Sequence, residues 1–153
     1  MSEENLNIYE LMNKLAQTAQ ERVLTAEEVA LFNSHNSGLG ALLGIEFTAV
    51  SKDEVRAQLE VKPQHHQPWG VANGGLYCSI GESVGSIASF INAAALVVGV
   101  NNSTDFLRPV SEGLIEAVAT PVHVGRRTHV WCIEMHHAGK LVARTNLRTM
   151  ITG

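Results

Sequence analysis

Apolar and polar residues follow a helical period at the start of the chain. Over the first 36 residues, apolar side chains return to one face every three or four positions. The first such face carries Ile8, Leu11, Leu15 and Ala19. Asn7 with Glu10, and Thr25 with Glu28, have the spacing of a capping box, in which side chains satisfy free amides at a helix start. The pattern predicts two amphipathic helices.

Residues 74–91 combine helical spacing with a composition that is poor for a helix. The segment has no proline, and its large apolar side chains recur every three or four positions. They are Leu76, Ile80, Val84, Ile87 and Ile91. Most of the other residues are glycine, serine or alanine, and each glycine costs about 1 kcal/mol relative to alanine in a helix. We therefore expect a long helix that close packing against its surroundings must stabilise.

Alternation of apolar and polar residues predicts strands on both sides of this helix. From Gly40 to the helix the pattern alternates over two strands, most strictly over residues 55–61, and four further runs follow the helix at about 97–108, 113–124, 128–136 and 140–151. Two strands, one long helix and four strands with short connections indicate an α+β fold, with an antiparallel sheet wrapped around a central helix. The chain divides into an N-terminal helical extension over 1–36 and a main domain over 37–153.

Charge and hydropathy exclude several classes of function. The 153 residues carry a formal net charge of −4, which argues against nucleic acid as a partner. The longest apolar run, residues 90–100, is too short to span a bilayer, which needs about 20 apolar residues. The acidic first residues contain no apolar run and do not resemble a secretory signal. We expect a soluble cytoplasmic protein with no membrane association.

The cysteines and histidines do not form a metal-binding pattern. Cys78 and Cys132 have no zinc-type spacing and are typical of buried thiols in a reducing compartment. The pairs His65–His66 and His136–His137 have no accompanying acidic cluster, and neighbouring residues of a strand point to opposite faces. No metal site is expected.

The start of the long helix carries the candidate chemistry. Asn73 lies where an N-cap is needed, and Gly74 and Gly75 leave uncovered amides at the positive end of the helix. Such an end suits an oxyanion or a polarised carbonyl. Glu82 is the only acidic residue between Glu60 and Asp105, and a carboxylate among small and apolar residues is a candidate base or nucleophile.

From about residue 40 to 151 the chain resembles the hotdog-fold acyl-CoA thioesterases, and in particular the PaaI-like branch. The segments that carry the resemblance are QPWGVANGGLYCSIGESVGS, NSTDFLRPVSEG and HVGRRTHVWCIEM. That branch includes thioesterases for 4-hydroxybenzoyl-CoA and 1,4-dihydroxy-2-naphthoyl-CoA. The resemblance implies hydrolysis of an aryl- or medium-chain acyl-CoA without a cofactor, CoA entering as part of the substrate.

The resemblance also implies roles for individual residues. Glu82 attacks the thioester carbonyl or activates water, the Gly74 amide polarises the carbonyl oxygen, and Gln67 holds the thioester or the water. Ser86 assists Glu82. Asn73 and Gly75 complete the helix start, and basic residues at the rim hold the nucleotide of CoA. The expected rim residues are Arg108, His123, Gly125, Arg126 and Arg127.

Asn73 departs from the family pattern, which usually has histidine at this position. Asparagine keeps the cap but does not titrate near neutral pH, so a non-catalytic acyl-CoA-binding or regulatory hotdog domain is the alternative interpretation. A hydrolase that uses Cys78 lacks a defined histidine partner, and the Asp-x-x-x-x-His pair of a hydratase is absent from the helix region. Phe106, Trp69 and Tyr77 are candidates for an aryl pocket.

Helix geometry adds a prediction about assembly. Gly74 and Glu82 are eight residues apart and therefore about 12 Å apart along one helix, so they do not contact one carbonyl together. If both act, they come from different subunits whose central helices run antiparallel across a two-fold axis. We expect an obligate homodimer with shared sites, which assembles further into a dimer of dimers.

Overall fold

The computed structural model describes residues 3–152, with side-chain surroundings from Ile8 onward. Three helices come first: α1 (Glu3–Glu21), α2 (Ala26–Ser34) and α3 (Gly38–Leu43). Strands β1 (Glu46–Val50) and β2 (Val55–Val61) and a 3-10 turn (Pro63–His65) lead to the long helix α4 (Gly74–Ala93). Four strands complete the chain: β3 (Val97–Phe106), β4 (Gly113–Val124), β5 (Thr128–His137) and β6 (Lys140–Ile151).

The six strands form one antiparallel sheet in the order β1-β2-β4-β5-β6-β3. The sheet wraps around α4, which confirms the predicted α+β hotdog architecture. Close packing explains how the glycine-rich helix is held. A Cβ added at Gly81 would overlap the Thr145 side chain, and one added at Gly85 would overlap Leu147. The glycines therefore let α4 lie directly on β6.

The N-terminal helices pack on the same core as α4 and the sheet. Leu15 and Ala19 of α1 and Phe32 of α2 are buried in one cluster with Ile80 and Leu147. The capping box at Thr25 is confirmed, with both reciprocal bonds to Glu28 present. The predicted helix start at Asn7 is wrong, because α1 already begins at Glu3; the Asn7 side chain itself lies outside the described residues.

Helix α3 and the β5–β6 hairpin are short connections between the larger elements. The short helix α3 was not predicted, because its sequence GLGALL has no polar period and its N-cap Ser37 makes no side-chain cap bond. The β5–β6 hairpin turns through Ala138 and Gly139, both with positive φ (47° and 73°), the conformation that two-residue hairpin loops favour. No helix in residues 3–152 is long and apolar enough to cross a membrane.

Candidate active site

The first turn of α4 presents a free amide. Asn73 is the N-cap, and its Oδ1 accepts a hydrogen bond from the Gly75 N–H at 2.8 Å, which confirms the predicted cap. The Gly74 N–H is left without an acceptor among residues 3–152. The loop before the helix is fixed by the backbone, since Asn73 N–H donates to the His65 carbonyl at 2.9 Å and Gln67 N–H to the Val71 carbonyl at 2.9 Å.

A cleft of about 330 Å³ opens beside this turn. Its lining includes Gln67, Gly74, Tyr77, Phe106 and Arg108. The Phe106 ring lies over Gly74, because a Cβ added there would be 2.8 Å from the ring. Of the three aromatic residues expected near an acyl group, Phe106 and Tyr77 line this cleft. Trp69 does not, since it is 81 % exposed and is not part of the cleft lining.

Glu82 lies in the middle of α4, half-buried against the edge strand β3. Its carboxylate accepts hydrogen bonds from Ser86 Oγ at 3.4 Å and from Asn102 Nδ2 at 3.2 Å. A Cβ added at Gly99 of β3 would overlap Glu82 Oε1, so glycine at this position lets the carboxylate rest on the strand. The structure therefore brings Ser86 to Glu82, as the sequence spacing indicated.

Asn102 is the residue of this site that sequence reasoning missed. Besides Glu82 it donates to the Cys78 carbonyl at 3.0 Å, and its Oδ1 accepts from Thr104 Oγ1 at 2.8 Å. Thr104 in turn shares a hydrogen bond of 2.7 Å with Thr145 of β6. The available signal was the polar run NNST inside a predicted strand, because polar side chains on a sheet face next to a helix need partners there.

A second cavity, which we call the N-terminal groove, includes Ser86 in its lining. Its volume is about 320 Å³, and its walls are mainly apolar. It is lined by Met12, Phe32, His35, Asn36, Ser37, Gly40, Phe47, Ser83, Ser86 and Ile87. Helices α1 and α2 thus supply part of a cavity that ends one side chain away from the Glu82 carboxylate.

The predicted site residues fall into separate regions of one chain. Gln67, Asn73, Gly74 and Gly75 gather at the start of α4, whereas Glu82 does not line their cleft and lies about 12 Å further along the helix. Within one chain, no single carbonyl contacts both Gly74 and Glu82.

The predicted rim residues are also divided. Arg108 N–H donates to the Val142 carbonyl at 3.1 Å, while the Arg127 carbonyl accepts from Ile151 N–H at 2.9 Å. Val142 and Ile151 are nine residues apart on β6, which corresponds to about 30 Å along the strand. His123, Gly125 and Arg126 lie at the Arg127 end, in or beside the β4–β5 hairpin. One chain does not bring them to Arg108.

Charge around the cleft is set by Arg108. The ion pairs within the described part of the chain join Arg22 to Glu28 and Arg56 to Glu54, so Arg108 has no acidic partner there. It separates the first cleft from a neighbouring one of about 410 Å³ that also contains His137 and Lys140. Among the side chains described, from Ile8 to Thr152, no three His, Cys, Asp or Glu are grouped to hold a metal ion.

Burial changes the titration of two groups at the start of the helix. Desolvation raises the pKa of Tyr77, so its hydroxyl stays protonated at neutral pH. Desolvation lowers the pKa of His65, whose Nδ1 accepts a hydrogen bond from the Lys62 N–H at 3.0 Å. His65 is therefore neutral where it supports the loop that carries Gln67 and Asn73.

Comparison with known proteins identifies similar chains. Residues 70–143 match the family described as the thioesterase superfamily. A Mycobacterium tuberculosis protein with a provisional esterase name, Rv1847, is 42 % identical over 112 residues, 69 % of this chain and 80 % of its own. The proofreading thioesterase EntH of Cronobacter turicensis is 32 % identical over 114 residues, 72 % of this chain and 83 % of its own.

A solved structure extends the comparison to the fold. Thioesterase HI1161 of Haemophilus influenzae superimposes with a TM-score of 0.77 and 30 % sequence identity. The superposition covers 88 % of this chain and 95 % of the other.

Proposed function

The chain belongs to the thioesterase superfamily of thioester hydrolases, and on this basis we propose that it hydrolyses an acyl-CoA to the free acid and CoA. One observation carries the proposal. Helix α4 presents a free amide at its first turn and a hydrogen-bonded carboxylate about 12 Å away. A hydrolytic site that uses both groups therefore needs the amide of one chain and the carboxylate of a second. The resemblance predicted from the sequence agrees with the family found by comparison.

The edge strand β3 is the surface through which we propose that two copies pair. It has one sheet neighbour, β6, so its outer backbone groups are unpaired in the single chain. Its exposed apolar residues Val98 and Val100 are 46 % and 54 % accessible. Antiparallel pairing about a two-fold axis would bring Gly74 of one chain toward Glu82 of the partner subunit, as the sequence-based prediction of an obligate homodimer requires.

The same two-fold operation would also join the divided rim residues. Arg108 follows one end of β3, whereas the β4–β5 hairpin with Arg126 and Arg127 lies near the other end. In an antiparallel pair, the two ends lie side by side. We propose that Arg108 of one chain and His123, Gly125, Arg126 and Arg127 of the other hold the phosphates of CoA, since guanidinium groups bind phosphate in a bidentate manner.

The proposed reaction uses amide dipoles and one carboxylate. The Gly74 N–H donates to the thioester oxygen, on which negative charge develops during attack, and Gln67 orients the thioester or the attacking water. Glu82 of the partner subunit takes the proton of that water, or attacks the carbonyl carbon itself. The carbon–sulfur bond then breaks, the thiolate of CoA leaves and takes up a proton, and water supplies the oxygen of the acid. No cofactor is needed.

The N-terminal groove is the proposed site of the acyl group, because it reaches Ser86 and thus lies next to the Glu82 carboxylate. Its mainly apolar walls suit an aryl or medium-chain acyl group. Asn73 keeps the cap of α4 and supplies no proton, so the carboxylate carries the acid–base chemistry alone. We further propose a dimer of dimers, and a reducing compartment such as the cytoplasm for the free thiols Cys78 and Cys132.

Release of free CoA thiol from a panel of thioesters tests the proposal. The panel contains phenylacetyl-, hydroxybenzoyl-, dihydroxynaphthoyl- and medium-chain acyl-CoA. We expect turnover of at least one aryl- or medium-chain substrate, and its loss in Glu82→Ala with fold and dimer intact. Binding without thiol release, unaffected by Glu82→Ala, would instead establish the alternative, a non-catalytic acyl-CoA-binding domain, which Asn73 favours.

A further inference from the structure

The hydroxyl of Tyr77 is buried and has no hydrogen-bond partner in the described residues. Tyr77 is 3 % exposed, and its Oη is one of three buried side-chain atoms without a partner. The other two are His65 Nε2 and Trp131 Nε1. Buried hydroxyl groups are nearly always bonded, so an unpaired one calls for an explanation. Among these three residues, Tyr77 is the one that lines the cleft beside Gly74.

Helix geometry directs the Tyr77 side chain toward the first turn. Tyr77 follows Gly74 by three residues and lies on the same face of α4, and helical side chains lean toward the N-terminus. Its ring packs against Phe106, with centroids 5.9 Å apart, and Phe106 also covers Gly74. Gly74, Tyr77 and Phe106 therefore form one wall of the cleft. Phe106 is 55 % exposed, so its ring can move without opening the core.

The chemistry of this hydroxyl is that of a donor. Burial raises the pKa of Tyr77, so the group keeps its proton at neutral pH and does not act as a base or nucleophile. A protonated phenol in an apolar wall forms its strongest favourable contact with an acceptor oxygen. No described group of the protein accepts a hydrogen bond from this hydroxyl, and the neighbouring Gly74 amide is itself a donor, so a bound substrate can supply the acceptor.

We propose that the Tyr77 hydroxyl donates a hydrogen bond to an acceptor oxygen of the bound acyl-CoA close to the thioester, and so positions the substrate against the Gly74 amide. The inference rests on the proposed function. The acceptor lies either on the thioester and pantetheine arm, which all acyl-CoA substrates share, or on a polar substituent of the acyl group. Tyr77 is thus a binding and specificity residue of the first-turn cleft.

Tyr77→Phe tests this inference, with Tyr9→Phe as the matched control. Tyr9 is the other tyrosine of the chain and is 40 % exposed on α1. Affinity for acyl-CoA is measured by calorimetry in a Glu82→Gln background, which separates binding from turnover. We expect Tyr77→Phe to weaken binding about three- to tenfold, the effect of one neutral hydrogen bond. The melting temperature stays unchanged or rises, because no protein partner is lost, and Tyr9→Phe binds as the background does.

Comparing the loss of affinity for three acyl-CoA substrates locates the acceptor oxygen. An equal loss for hexanoyl-, benzoyl- and 4-hydroxybenzoyl-CoA assigns the acceptor to the shared arm, whereas a loss confined to 4-hydroxybenzoyl-CoA assigns it to the acyl group. Unchanged affinity for all three would overturn the inference. So would a lower melting temperature or a dissociated dimer, since either would place the partner of the hydroxyl in protein. If the protein with Glu82 intact binds these thioesters but releases no thiol, the proposed function fails while the binding result for Tyr77 still stands.

Discussion

The first turn of α4 and its middle are built in opposite ways. At the first turn, a loop fixed by backbone hydrogen bonds leaves donors free: the Gly74 amide has no acceptor, and the Tyr77 hydroxyl has no partner, in the described part of the chain. At the middle of the helix, the Glu82 carboxylate is an acceptor that the chain already supports, through Asn102 and Ser86.

This difference indicates that the two regions of the candidate site have different roles. Unpaired donors are costly in a folded protein unless a ligand completes them, so the first turn is organised for an acceptor that arrives from outside. The carboxylate is oriented in advance by the sheet, as expected of a group that must keep its geometry during a reaction. The two halves are complementary, and substitutions in each half can show whether they act as one site.

Removing the carboxylate should have the largest effect. Glu82→Gln keeps the size of the side chain but removes the base, so we expect kcat for thioester hydrolysis to fall about 10³-fold. Glu60→Gln, on the exposed face of β2, is the control and should match the wild type. Steady-state thiol release measures both. Activity of Glu82→Gln near that of the control would show that the middle of α4 takes no part in catalysis.

Removing the first-turn donor should have the next largest effect. Proline is tolerated at the first position of a helix, and Asn73 has a ψ of 141°, which suits a following proline. Gly74→Pro therefore removes the amide hydrogen while keeping the helix, but its Cβ would also displace the Phe106 ring. Gly74→Ala adds the same Cβ and keeps the amide hydrogen, so it is the reference, and relative to it kcat of Gly74→Pro should fall about 10²-fold.

Mixing this variant with Glu82→Gln tests the shared site directly. If each site takes one half from each chain, refolding equal amounts together should restore roughly a quarter of wild-type activity, since half of the dimers are mixed and each has one intact site. Each variant refolded alone is the control. Mixed dimers that form without regaining activity would contradict a site shared between subunits.

Disturbing the orientation of the Glu82 carboxylate should lower kcat less than removing the carboxylate does. Asn102→Ala removes the donor that holds Oε2, a hydrogen bond to a charged group, so we expect kcat to fall about tenfold with little change in KM. Asn101→Ala alters the exposed neighbour on the opposite face of β3 and should leave kcat unchanged. Equal kinetics for the two variants would show that β3 does not orient the carboxylate.

Narrowing the N-terminal groove should change substrate selectivity more than it changes the rate of hydrolysis. Met12→Trp narrows the groove from the side of α1, so we expect kcat/KM for an aryl- or medium-chain acyl-CoA to fall several-fold relative to acetyl-CoA. Gln17→Trp places the same ring on the exposed face of α1, outside the groove. A constant ratio between the substrates in both variants would place the acyl group elsewhere.

Lowering the pH should destabilise the folded protein through protonation of His65, which supports the loop before α4. Since burial lowers the pKa of His65 below its value in the unfolded chain, near 6.5, the unfolded state takes up the proton first as pH falls. The contribution of His65 to the free energy of unfolding is therefore fully present above about pH 6.5 and declines as the pH falls below that value. In thermal melts from pH 7 to 5, His65→Asn should show a shallower decline than the wild type, and an equal decline would contradict this role of His65. The burial of His129, which also lowers its pKa, accounts for part of the remaining slope.

Much of the fold followed from local patterns. The alternation in residues 55–61 predicted a strand whose buried and exposed positions alternate in the structure. The apolar spacing of residues 74–91 predicted α4, and its glycines predicted close packing, which Gly81 against Thr145 confirms. Helix α3 was missed because six residues without an N-cap side-chain bond or a polar period carry too little local signal.

The site was predictable where one residue type has a local role. Asn73 as a cap and Ser86 one turn from Glu82 are both set by helix spacing, and the structure has both contacts. The hydrogen bond from Asn102 to Glu82 joins residues far apart in the chain, and so does the N-terminal groove, which α1 and α2 help to form. Such contacts depend on strand register and on how the helices dock.

The order of elements, the cap and free amide at the start of α4, and the single carboxylate two turns later are properties of the amino-acid sequence alone. They follow from capping residues and periodicities within a few positions of the chain, which can be identified before the fold is known. Folding of the whole chain was needed to rest Glu82 on Gly99 and Asn102, and to bury Tyr77 with an unpaired hydroxyl beside Gly74. Burial and pairing between distant segments are set only when the sheet closes around the helix, because register and packing select which side chains meet.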